Sequence, residues 1–219
     1  YYPAGYVVPL NSSLPGSRSI NITGATTFEV STGLASAGNL IGTQNTSVQF
    51  KVLRNSAIQK KKDIVRDVYI KLDANTISDG KLNLGLTDVF KIKNIWGGSG
   101  YSNSNPDITN WFTLDDGQRD EIYDFSKLTL KPIYRSELTN QNLLVKVDKF
   151  VANTSAGIGF FSVDSYPIDD ANTANTSAIR TFEIPTFVSS DGKTIDLRDS
   201  VDFRLQRQET AVVSTTIGG

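Results

Sequence analysis

The stretch WFTLDDGQRDEIYDFSKLTLKP, Trp111 to Pro132, decides how the chain is read. WFTL is aromatic and β-favouring. Asp115, Asp116 and Gly117 form a turn signal, because Asp tolerates turn dihedrals and Gly takes φ > 0 without steric penalty. Gln118 to Phe125 then crowds charged residues around Ile122, Tyr123 and Phe125. SKLTLKP restores a period of two, with Leu128 and Leu130 on one face, until Pro132 stops it.

Working outward, the same period recurs. Val48, Phe50 and Val52 alternate with Gln49, Lys51 and Leu53, and ATTFEVS (Ala25 to Ser31) is a short strand. Val68, Ile70 and Leu72 alternate with Tyr69, Lys71 and Asp73. Asp79-Gly80 is a hairpin-type signal, DVFKIKNIW a strand, and GGSGYSNSNPD a surface loop. NLLVKVDKF alternates again, and GIGFFSVDSYP reads as a final core strand through Phe160, Phe161 and Val163. Strands divided by turn chemistry, with no long 3.6-residue period, predict an all-β chain. The expected architecture is an antiparallel β-sandwich of the immunoglobulin or fibronectin-III kind. Residues 1–46 read as an extended connector with a short strand, 47–167 as the sandwich, and 168–219 as a β-rich connector or docking segment to a neighbouring module. Within the last, a short strand, an Asp191-Gly192 turn and a charge-rich strand are expected, then a trailing connector.

Composition narrows the chemistry. The 219 residues include no His, Cys or Met, and the net charge is −1. Absent His and Cys remove disulfides, thiolate chemistry, Ser–His and Cys–His nucleophile systems and His-based zinc sites. Near-neutral charge argues against nucleic acid as the main partner. No apolar run reaches the ~18–20 residues of a membrane-spanning helix. The opening YYPAG and the lack of Met lead us to expect an ordered piece of a longer polypeptide. Asn11, Asn21, Asn45, Asn153 and Asn175 head glycosylation-type sequons, read here as part of an Asn/Ser/Thr-rich surface. The triplet Lys60, Lys61 and Lys62 reads as a solvated turn.

Three clusters carry functional readings. Gln118, Arg119, Asp120 and Tyr123 read as a structural corner, cross-braced by side chain to backbone hydrogen bonds with an aromatic plug. Arg198, Asp199, Asp202 and Arg204 are candidate assembly contacts, an ion-pair network where modules dock. Trp96, Tyr101 and Trp111 around the Gly97–Pro106 loop form a candidate receptor platform for glycan or a host surface protein. The carboxylates Asp115, Asp116, Asp120, Glu121 and Asp124 offer a glycoside-hydrolase pair or a calcium site, but adjacent Asp residues in a turn favour capping. No catalytic residue, cofactor or metal ligand is therefore assigned.

Three blocks, Asp116 to Asp120 with Tyr123-Asp124, Ser165-Tyr166, and Leu197 to Asp199 with Asp202 to Arg204, stand in that order. Together they resemble a domain of large virion structural proteins of T4-like myophages, especially cyanophages. The resemblance spans Asp88 to Arg204; Leu205 stands where the pattern has Pro, and Phe125 where it has His. It implies a non-enzymatic building block of a phage tail or baseplate, located in the virion. Its partners would be other virion proteins and neighbouring modules of a longer chain, in an oligomeric assembly.

Overall fold

The computed structural model of the chain describes residues 18–23, 28–32, 57–138, 140–153, 159–172 and 174–217. The strand expected at Val48 to Leu53 lies outside them. The chain divides into two units, Tyr1–Leu53 and Arg54–Gly219. In the first, β1 (Arg18–Ile22) pairs antiparallel with β2 (Phe28–Thr32), Ile20 opposite Val30.

The second unit is predominantly β, and no helix of seven residues or more occurs among the described residues. Its strands are β3 (Ile58–Gln59), β4 (Lys62–Asp73), β5 (Lys81–Thr87), β6 (Val89–Gly98), β7 (Phe112–Asp115), β8 (Ile122–Tyr123), β9 (Phe125–Leu130) and β10 (Asn142–Ala152). Then come β11 (Gly159–Phe160), β12 (Thr186–Val188), β13 (Thr194–Asp196), β14 (Leu205–Gln206) and β15 (Val213–Ser214). One antiparallel sheet runs β15-β4-β10-β6, a second β5-β9-β7. β3 pairs with β11 and β8 with β14, both parallel, and β12 with β13 antiparallel.

The period-two pattern explains the core. Val68 and Ile70 of β4, Leu82, Leu84 and Leu86 of β5, Leu128 and Leu130 of β9, and Leu143, Val145 and Val147 of β10 share one buried cluster. Asp79 (φ 50°) and Gly80 (φ 73°) make the expected tight turn, closed by paired hydrogen bonds between Ser78 and Lys81. The chain does not continue as a hairpin there; β5 leaves for the other sheet and pairs with β9.

A bulge in β4 redirects its first half. Val68 lies opposite Val147 and Val65 opposite Lys149, so Arg66 and Asp67 together face Asp148. Asp67 takes φ 58° there. The extra residue reverses which face each side chain occupies. Val65 therefore packs on the main core, while Ile64 packs into a second cluster. That cluster holds Phe150, Tyr166, Ile179, Ile184, Phe187 and Leu197. The segment 168–217, set apart by composition as a connector, is thus packed on β4 and β10 of the same unit.

Two expected strands are corrected. Among the described residues of GIGFFSVDSYP, strand covers only β11; Val163–Ser165 is a 3-10 turn whose Ser162–Ser165 capping pair satisfies its first amides. Leu197 to Arg204 forms no ladder beyond an isolated bridge between Asp202 and Phe161. Charged side chains at 202 and 204 turn inward there, while Val201, Phe203 and Leu205 face solvent.

Gly117 (φ 80°) and Gly192 (φ 82°) both need the left-handed region. A Cβ at Gly117 would stand 2.2 Å from the Asp124 carbonyl oxygen, whereas Gly192 has open space. Gly192→Ala is expected to lose about 1–2 kcal/mol from backbone conformation alone. Gly117→Ala should lose clearly more, because the turn must also open. Urea unfolding midpoints at unchanged slope check the order.

Candidate functional site

The Lys60–Lys62 triplet is not a solvated turn: Lys62, the first residue of β4, is buried. The bulge carries it to the covered face. Its Nζ donates to Asp88 Oδ2 at 2.6 Å, and to the hydroxyl oxygens of Tyr123 (3.2 Å) and Tyr166 (3.3 Å). The rings of Tyr123, Phe161 and Tyr166 surround it, with centroids 4.3, 4.7 and 4.8 Å away.

Asp88 is the single residue between β5 and β6, where the chain crosses from one sheet to the other. It adopts φ 57°, a conformation Asp tolerates better than most residues. Its carbonyl accepts from the Phe150 amide at 3.0 Å. Its carboxylate accepts from Gln118 Nε2 (3.3 Å) and Gln206 Nε2 (3.2 Å) as well as from Lys62.

The network extends through Tyr123, whose hydroxyl donates to Asp202 Oδ2. Arg204 grips Asp202 with two nitrogens, Nε to Oδ1 at 2.9 Å and Nη2 to Oδ2 at 2.8 Å, and donates Nη1 to the Arg119 carbonyl. Its guanidinium lies over the rings of Tyr123 (4.4 Å) and Phe187 (4.1 Å). Two cations, Lys62 and Arg204, thus meet two carboxylates, Asp88 and Asp202, in a nearly water-free space.

Protonation follows from this arrangement. Burial opposes charge on Lys62, but the Asp88 carboxylate and the Tyr166 phenol outweigh it, so the ammonium is held above its ordinary range. Burial pushes the Tyr123 phenol well up, reinforced by Asp88, Tyr166 and Asp202. Tyr166 is raised by burial too, against the opposing pull of Lys62. Burial would raise Asp202, yet hydrogen bonds from Arg204 and Tyr123 bring it below the usual carboxylate range.

The structural corner is brought together here. Gln118 and Tyr123 are buried, Arg119 donates to the Gln118 carbonyl (2.7 Å) and pairs with Asp115, and Asp120 accepts from Ser190. The candidate assembly contacts separate. Asp202 and Arg204 belong to the buried network, whereas Arg198 forms an outer ion pair with Asp196 and Asp199 is exposed. Of the receptor platform, Trp111 is drawn away into the main core. Trp96 stacks on Tyr69 at 6.5 Å, Trp111 on Tyr134 at 4.9 Å and against the main core, and Tyr101 is exposed beside Lys71. The acidic cluster disperses: Asp115 to Arg119, Asp116 to the Gln118 amide, Asp120 to Ser190, Asp124 to Arg207. Among the described residues, no group of three acidic side chains is placed to hold a metal ion.

Asp88 and Gln206 escaped the sequence reading, and Lys62 entered it only as part of the solvated triplet. No spacing marks any of the three, and the bulge that turns Lys62 inward has no signal in the alternation. The three blocks quoted for the phage resemblance all reach this network, through Gln118 and Tyr123, Tyr166, and Asp202 and Arg204. No protein-family model, no curated protein and no solved structure matches this chain.

The raised phenols set an alkaline limit. A folded pKa above the unfolded value means the folded chain keeps a proton that the unfolded chain releases. Their contribution is complete below pH about 10, the ordinary tyrosine value, and lost as pH rises beyond it. Asp202 acts oppositely: its contribution is present above its ordinary 3.8 and lost as pH falls below. Urea midpoints should fall steeply above pH about 10. In Tyr123→Phe that fall should be shallower, from a starting stability about 1–3 kcal/mol lower, because Asp202 loses a buried donor. An equal alkaline slope in both proteins would contradict this account.

Proposed function

We propose that this chain is a non-enzymatic structural module of a phage virion, of the tail baseplate or fibre-attachment region. It acts through assembly contacts with neighbouring virion proteins. The observation that carries the reading is how residues 201–205 divide. Asp202 and Arg204 turn into the closed network, and Val201, Phe203 and Leu205 are left 59%, 60% and 53% exposed. Paired charges that saturate one another inside offer a partner little, whereas an exposed apolar row gains by being covered. Val201 and Phe203 also line a shallow concavity of about 440 Å³ with Asp120 and Glu121. The reactive groups of the network support the non-enzymatic side of the proposal, since Lys62, Tyr123 and Asp88 are closed to solvent.

For the architecture, we propose a two-layer sandwich of the two larger sheets, supported by the apolar cluster they share. Its strands β4 to β7 alternate between sheets, unlike the immunoglobulin order, in which the first two strands share one. The alternative of a receptor-binding platform at Trp96, Tyr101 and Trp111 has weaker support, because Trp111 is engaged with Tyr134 and the core.

Particles assembled with the double variant Val201→Glu, Leu205→Glu test the assembly reading. The isolated variant should unfold at the same urea concentration as the parent chain, since both side chains already face water. Incorporation into particles should drop at least tenfold. Normal particles carrying the variant chain would sink the proposal.

A further inference from the structure

We propose that Lys62 and Asp88 become joined by an intramolecular isopeptide bond, formed by the folded chain itself. The inference stands apart from the assembly reading and rests on geometry. The amine lies 2.6 Å from a carboxylate oxygen, which brings it to within about 3–3.5 Å of the carboxyl carbon, the range of near-attack contacts. The pair is enclosed by Tyr123, Phe150, Phe161 and Tyr166, all buried.

The surrounding groups are arranged for condensation. Within the ion pair, one proton passes from the Lys62 ammonium to the Asp88 carboxylate, giving an amine and a carboxylic acid. The amine lone pair attacks Asp88 Cγ and forms the C–N bond. Negative charge then gathers on Oδ1, where Gln118 Nε2 already donates, while Gln206 Nε2 donates to Oδ2, the oxygen that takes the Lys62 proton and departs. The nitrogen sheds its extra proton to the departing hydroxyl, relayed by the phenol oxygens of Tyr123 and Tyr166 that lie against Nζ. Tyr123 gives its own hydrogen to Asp202, so its oxygen keeps lone pairs toward Lys62. The C–O bond breaks and water leaves. Ammonium and carboxylate have become amide and water, with no oxidant or co-reactant.

The direction of the reaction follows from the enclosure. In bulk water the separate ions are well solvated and the amide is not favoured. Here both ions are cut off from water, and condensation removes two buried charges at once. The product would tie the start of β4 to the β5–β6 corner, 26 residues on.

Intact mass of the purified full chain under denaturing conditions is the test. The expected value is the sequence mass less one water. Proteolysis should then yield one branched peptide containing both Lys62 and Asp88. Lys62→Arg should recover its full sequence mass, and Asp88→Asn should lose ammonia in place of water. Full sequence mass for the parent chain would overturn the proposal. So would a lost water that maps to a hydroxylamine-sensitive succinimide at Asp79-Gly80, Asp116-Gly117 or Asp191-Gly192, with Lys62 found in a linear peptide.

Discussion

Lys62 has to be buried, and most of the second unit is arranged around that constraint. An ammonium taken out of water loses several kcal/mol of solvation, and only close partners offset the loss. Asp88 offsets the charge, Tyr123 and Tyr166 take the remaining hydrogens, Gln118 donates to the other oxygen of Asp88, and Gln206 joins Lys62 on Oδ2. Gln206 lies 118 residues from Asp88, and Tyr166 lies 104 from Lys62. None of these partners is supplied by a neighbouring turn. The later chain must wrap back before the amine and Asp88 have all their partners. The apolar cluster supplies most of the gain in stability, because each buried Leu or Val contributes ~1.5–3 kcal/mol. The network contributes specificity: a chain wrapped in a different register would strand one of its charges.

The β4 bulge is the device that puts Lys62 there, and it is braced by a third buried carboxylate. Asp148 accepts from the Asp67 amide (3.0 Å) and from Arg66 Nη1 (2.8 Å), holding the two residues of the bulge to one position on β10. Lys146 of the neighbouring β10 and Lys93 of β6, one strand further on, both reach Asp67. Arg66 also donates to the carbonyls of Thr176 and Ala178, so the residue that forms the bulge grips the tail that the bulge makes necessary. Two polar clusters at opposite ends of one short strand segment thus secure the same covering chain.

Where side chains alternate on regular ladders, the sequence was legible. β9, β10 and the second half of β4 follow their period-two patterns, and Asp79-Gly80 turns as its chemistry dictates, whereas β6 slips phase twice against β10 and brings Val89, Ile92 and Ile95 together in the main core. Where a ladder breaks, it was not. The bulge at Asp67 shifts the phase by one residue, and alternation alone cannot reveal a phase shift that depends on a partner strand. At 201–205 the alternation is real but inverted, polar in and apolar out, because Tyr123 and Phe187 offer Arg204 a better place than solvent does. The corner at Gln118 and Tyr123 was readable from its crowded polar and aromatic residues. Its counterparts were not, since a lone Lys in a basic triplet and a lone Asp between strands look like surface.

Under the assembly role proposed above, that inversion bears on how the chain would meet a neighbour. Had the Asp and Arg side chains at 202 and 204 faced outward, docking would depend on surface ion pairs, each worth little and weakened by salt. Turned inward, they fix the backbone of the segment while its apolar side chains remain outside. Phe203 is already held against Phe160, with ring centroids 5.7 Å apart, so part of the row is ordered before any partner arrives. A rigid apolar row loses less conformational freedom on docking than a mobile one, and the area it covers is converted more fully into affinity. In this reading the buried charges act on assembly at one remove, by holding still the surface that does the binding.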